Sequence, residues 1–100
     1  MRLEHTVQEL NRACEYAREA QEYERTDLAV PPAQLALQIV AAQSLHWAGQ
    51  GRHALHVTAI LNGIASDLEA ALRMPPPSLW FYQHLDSAVE GLENALETFQ

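Results

Sequence analysis

The sequence predicts an all-α protein, a small four-helix bundle in mostly antiparallel order. Alanine is the most frequent residue, only 4 of 100 residues are glycine, and β-branched residues are few, which favours helix over strand. Apolar residues recur with the helical period in four segments, and clusters of proline or glycine separate those segments. A chain of 100 residues predicts one domain, 1–100, that buries its own core without a metal or disulfide.

The first helix is predicted from Leu3 to about Arg25. An apolar stripe at helical spacing marks its inner side and contains Leu3, Val7, Leu10, Cys14 and Ala17. Glutamates mixed with arginines occupy the opposite side, as is typical of a solvated surface. The single cysteine, Cys14, lies within the stripe and cannot form an internal disulfide, so a buried and inert thiol in a reducing compartment is expected.

The second helix is predicted from Pro32 to Ala48, after a break at Thr26 and Asp27. The residue before a proline is driven out of the helical region, and proline is favoured in a first turn, so Pro31 and Pro32 indicate a helix start. The predicted helix is apolar nearly all the way round and has no charged side. Such a helix is normally surrounded by protein, which favours a homo-oligomer or an obligate partner.

Gly49-Gln50-Gly51 follows this helix and is interpreted as a tight turn between antiparallel helices. Glycine tolerates the positive φ found at helix ends and weakens a helix interior. The alternative is one long kinked helix from Pro32 to Arg73, which a monomer could not easily surround.

The third helix is predicted from about Arg52 to Arg73, and the fourth from Ser78 to about Phe99. The third has large apolar residues on one side and a row of small residues, Ala59, Gly63, Ser66 and Ala70, on the other. Those small residues allow either a second packing face or an ordinary alanine-rich surface. Met74-Pro75-Pro76-Pro77 ends the third helix, and Ser78 suits the N-cap of the fourth.

The segment from Leu28 to Ser66 carries one formally charged residue, Arg52. The second and third helices are therefore predicted to form a central uncharged hairpin, and Pro32 to Arg73 is expected to form a homodimer interface. Aromatic residues dominate interface energetics. The expected partner-binding residues include three aromatic and two aliphatic side chains: Trp47, Trp80, Tyr82, Leu37 and Val40.

Three histidines near the central turn suggest an alternative function, a metal- or ligand-binding bundle. His46, His53 and His56 lie on roughly one side if the helices are continuous, and imidazoles at such spacing can share a metal. No carboxylate or cysteine between Leu28 and Ser66 completes a ligand set. Partly exposed polar residues beside a turn are the simpler interpretation.

Composition narrows the remaining classes of function. A net charge of −7 argues against phosphate-backbone binding, which needs clustered lysine and arginine. The sequence begins without a signal-peptide pattern, and no apolar run approaching the roughly 20 residues of a membrane span is apparent. Glu-x-x-His pairs, nucleophile elbows and P-loops are lacking, so no cofactor is expected. The predicted function is a non-enzymatic cytoplasmic interaction protein: an adaptor, inhibitor, immunity protein or phage anti-defence regulator.

Overall fold

The computed structural model describes residues 2–73 and 79–100, and its described part is a four-helix bundle. The elements in order are α1 (Glu4–Glu22), α2 (Thr26–Ala48), a short 3₁₀ turn (Arg52–Ala54), α3 (Leu55–Leu72) and α4 (Leu79–Phe99). Successive helices are neighbours, and α4 returns to pack against α1, so α2 and α3 lie on the side of the bundle opposite α1 and α4. The predicted fold class is confirmed.

Polar contacts between helices show the antiparallel order. Thr6, near the start of α1, bonds to Gln43 near the end of α2. Gln21, near the end of α1, donates to Asp86 near the start of α4 at 2.8 Å. Ser44 near the end of α2 donates to Asn62 in α3. Each bond joins a residue near one end of a helix to a residue near the opposite end, or in the middle, of its neighbour. An up-down-up-down bundle requires this arrangement.

The start of α2 was predicted wrongly. The helix begins at Thr26, six residues before the predicted Pro32, and both Pro31 and Pro32 lie inside it. Each proline removes one backbone donor to the carbonyl four residues earlier. Those carbonyls belong to Asp27 and Leu28, which are exposed, so water can replace the missing donors.

The first helix is shorter than predicted, and the central turn is where it was predicted. α1 ends at Glu22, because Tyr23 has extended backbone angles (φ −81°, ψ 133°). Gly51 has φ 87°, a conformation that glycine adopts without strain, and it separates α2 from the 3₁₀ turn. The long kinked helix is therefore excluded. The predicted proline connector and the Ser78 N-cap lie outside the described residues.

The core of the bundle is unevenly built. Around α1 and α2 the completely buried residues are mostly small, whereas α3 and α4 contribute large side chains such as Leu61, Leu68, Phe81 and Leu92. The inner side of α2 consists mainly of Ala29, Ala33, Ala36 and Val40, each 0 % exposed. Small inner residues let neighbouring helices approach closely, and Leu28, Leu35 and Leu45 of α2 remain outside.

A single chain does not surround α2, so its coverage by a second copy or by a partner stays a prediction. Leu28, Leu35 and Leu45 of this helix are 48 %, 41 % and 77 % exposed. The helix also has the length and apolar composition of a membrane span, which the predicted start at Pro32 had concealed. Core helices of soluble proteins share both properties, so this observation alone assigns no membrane role.

A buried polar group joins α1 to the end of α2. The Thr6 hydroxyl donates to Gln43 Oε1 at 2.7 Å and accepts from Trp47 Nε1 at 2.8 Å. All three residues are at least 90 % buried, so each bond replaces one that water would have made. This network explains why an indole and an amide can lie in the interior.

Replacement of Thr6 by valine is expected to destabilise the protein by about 1–3 kcal/mol, because it leaves the Gln43 and Trp47 groups buried without their partner. The matched control is Thr98→Val, since the exposed Thr98 hydroxyl bonds only to its own helix at Asn94. Urea unfolding followed by circular dichroism measures both. Equal effects of the two substitutions would contradict the buried network.

Two helical glycines give a second test of the packing. A Cβ added at Gly63 has nothing within 4 Å, whereas one at Gly91 lies 3.1 Å from Ile64 Cγ1. Gly63→Ala is expected to stabilise the monomer by about 1 kcal/mol from helix propensity alone. Gly91→Ala is expected to gain less, because Ile64 must move. Thermal unfolding at one low protein concentration compares them, and equal gains would show that Ile64 moves aside without cost.

Candidate interaction surface

The exposed sides of α2 and α3 form a surface that we call the hairpin face. Its residues are uncharged and largely apolar or small, and they include Leu35, Ala41, Ala42, Leu45, Leu55, Ala59, Gly63 and Ser66. The face carries most of the large exposed leucines of the described chain, with Leu45 and Leu55 at 77 % and 63 % exposure. Exposed apolar surface of this kind is typical of interaction sites.

An open groove runs between the two helices of this face. It has a volume of about 290 Å³ and is lined mainly by small residues of both helices: Ala41, Ser44, Leu45, Ala48, Asn62, Ala65 and Glu69. The hydrogen bond from Ser44 to Asn62 crosses between the two helices beside it. One hydrogen bond therefore links the two helices at the groove, and its exposed lining is apolar except for Asn62 and Glu69.

The opposite surface of the bundle has a different chemistry. Nine of the thirteen acidic residues lie in its two helices, five in α1 and four in α4, and α4 contains no lysine or arginine. Arg18 pairs with Glu93 across these helices at 3.4 Å. The bundle thus has an acidic surface and, facing away from it, a nearly uncharged one.

Two of the five predicted partner-binding residues lie in the interior. Val40 and Trp47 are 0 % and 6 % exposed, so the single chain already covers them. Leu37 is half-buried and packs against the core. The sequence pattern could not distinguish these positions from Leu35 or Leu45, because α2 has no polar side to indicate which way it faces.

The remaining two predicted partner-binding residues lie near the start of α4. Trp80 is 60 % exposed. Tyr82 is half-buried, and its hydroxyl donates to the Tyr23 carbonyl at 2.8 Å, at the point where α1 ends. Burial raises the pKa of the Tyr82 phenol, and the carboxylates of Asp27 and Glu24 raise it further. Tyr82 therefore has a structural contact of its own.

The three central histidines are all exposed. His46 lies edge-on against the Trp47 ring, with centroids 5.1 Å apart. Among residues 2–73 and 79–100, no three histidine, cysteine, aspartate or glutamate side chains are grouped so that they could hold a metal ion. The geometry therefore adds no support to a metal-binding function.

Cys14 also lacks the surroundings of a reactive thiol. It is 2 % exposed within the core. Burial raises the pKa of the Cys14 thiol; Arg18 opposes this rise, and Glu93 and Glu15 add to it. A thiol that is protonated and covered is a poor nucleophile.

Leu35, Leu45 and Leu55 are the surface residues that sequence reasoning missed. Leu45 and Leu55 flank the glycine turn, and Leu55 falls outside the apolar side of α3. For Leu55 that position was the available signal, because a large apolar residue off the apolar side must be exposed or covered by another molecule. The sequence offered no such signal for Leu35 and Leu45.

Comparison with protein-family models, curated proteins and solved structures gave no match to this chain.

The Tyr82 contact predicts a pH effect. Tyr82→Phe is expected to lower stability by about 1 kcal/mol at neutral pH, because the Tyr23 carbonyl loses its donor. A phenol whose pKa is raised by folding stabilises the native state below its ordinary pKa of about 10, and this contribution is lost as pH rises further. The variant should therefore lose less stability above that pH than the wild type.

Urea unfolding at neutral and alkaline pH measures this difference. Tyr16→Phe is the control, since the Tyr16 hydroxyl makes no hydrogen bond within the described ranges 2–73 and 79–100. If both variants lose stability in parallel with the wild type at alkaline pH, the role assigned to the Tyr82 hydroxyl is wrong.

Proposed function

We propose that this chain is a non-enzymatic protein–protein interaction module that works as a homodimer joined through the hairpin face. One observation carries the proposal: α2 buries alanines and exposes leucines. Ala29, Ala33 and Ala36 are 0 % exposed, while Leu35 and Leu45 are 41 % and 77 % exposed. A soluble helix normally places its larger apolar residues inside, because burial stabilises roughly in proportion to apolar area.

Charge distribution favours a second copy as the molecule that covers this face. With a net charge of −7, two copies repel each other wherever their α1 and α4 surfaces meet. The hairpin face has almost no charge, so two copies can approach there without that repulsion. A two-fold arrangement then buries the same surface on both chains and keeps both acidic surfaces in water.

The dimer would present two acidic surfaces and two exposed Trp80 side chains to other molecules. We infer a role as an adaptor, an inhibitor or a small regulator, such as an immunity or phage anti-defence protein. The acidic exterior suits a basic protein surface and not a nucleic acid backbone. A cytoplasmic setting without a cofactor is part of the same proposal, because a lone buried cysteine needs no oxidising compartment.

Leu45→Glu tests the proposed interface. Leu45 is largely exposed, so the substitution is expected to change monomer stability by less than about 0.5 kcal/mol. A carboxylate buried in the dimer would lack a partner, so the dissociation constant is expected to rise at least about tenfold. Sedimentation equilibrium measures the dissociation constant, and circular dichroism checks the fold.

Gln8→Glu is the matched control for this experiment. It adds the same charge at an exposed position of α1, outside the hairpin face, and should leave the dimer nearly unchanged. A wild-type chain that stays monomeric at hundreds of micromolar would overturn the homodimer. If both substitutions weakened the dimer equally, the interface would have to lie outside the hairpin face.

A further inference from the structure

The charged residues of α2 and α3 and their flanks divide into paired and unpaired groups. Asp27 binds Arg25 at 2.7 Å, and Glu69 binds Arg73 at 3.5 Å. Within residues 2–73 and 79–100, Arg52 and Asp67 take part in no ion pair. One cation and one anion are thus left over on the same helical segment.

These two residues cannot pair within one chain. They are fifteen positions apart along the 3₁₀ turn and α3, which at the helical rise of 1.5 Å corresponds to about 23 Å. The midpoint between them is near Ala59, which is exposed on α3. A second copy of α3, running antiparallel and centred at that level, would bring each Arg52 opposite the other copy's Asp67.

We propose that the dimer is a two-fold pair in which α3 packs antiparallel against α3 of the second copy, with the axis near Ala59. In this register Arg52 of each copy pairs with Asp67 of the other. The inference rests on the proposed homodimer and adds its orientation. A parallel arrangement at the same level would place arginine against arginine and aspartate against aspartate, which is unfavourable.

The shape of α3 suits this register. At the axis the exposed Ala59 is small, and one turn further a Cβ placed on Gly63 would have nothing within 4 Å, so another helix can come close. Leu55, 63 % exposed, lies at the level of residues 63–66 of the second copy. A large apolar side chain would therefore oppose small residues twice in the dimer, once at each end of the contact.

Charge reversal tests the orientation. Arg52→Asp and Asp67→Arg should each raise the dissociation constant about tenfold, because each reversal places like charges together at two symmetric contacts. The double variant restores opposite charges between the copies, so its dissociation constant should return close to that of the wild type. Since the two residues are far apart in one chain, this rescue can arise only between chains. High salt should reduce the effect of each single variant.

Arg12→Asp in α1 and Glu90→Arg in α4 are the matched controls, because they make the same charge changes on the acidic surface. Sedimentation equilibrium gives the dissociation constants of all six proteins. Single variants that dimerise as tightly as the wild type, or single losses without rescue in the double variant, would overturn the orientation while leaving the homodimer in place. A monomeric wild type would overturn both proposals. A dimer that Leu45→Glu weakens but that the charge reversals leave unchanged would overturn the orientation alone.

Discussion

A helix without charge on any side has no surface that strongly prefers water, and α2 is such a helix. Among the described helices its close neighbours are α1 and α3, and two neighbours cannot cover its whole circumference. Some of its apolar surface must remain outside, whichever way the helix is turned. The apolar hairpin face follows from this constraint.

The interior decides which side of α2 remains outside. Ala29, Ala33 and Ala36 face inward and allow close packing, and the polar group of Thr6, Gln43 and Trp47 fixes the level at which α1 meets α2. Rotating the helix to bury its leucines would separate these hydrogen-bonding partners in a place that water does not reach. Buried polar groups therefore oppose the rotation that hydrophobic burial alone would favour.

The hairpin face and the acidic surface lie on opposite sides of the bundle and differ in charge. Carboxylates on α1 and α4 give one side of the bundle its negative charge, and in the proposed dimer they would restrict where a second copy can approach. Leucines and small residues on α2 and α3 offer apolar area on a surface that carries almost no charge. Self-association would then follow from the apolar hairpin face, and the proposed orientation from Arg52 and Asp67, which take part in no ion pair within residues 2–73 and 79–100.

The sequence by itself determined the four helices, the glycine turn, the fold class and the uncharged character of the hairpin. These depend on helical periodicity and on local backbone preferences, which neighbouring residues set. It misplaced the start of α2, because two exposed carbonyls tolerate the prolines at 31 and 32. Which side of α2 faces inward was decided only by the tertiary structure. An all-round apolar helix has no preferred direction until Thr6, on a different helix, meets Gln43 and Trp47 in the core, and this is why Trp47 is buried and Leu45 is exposed.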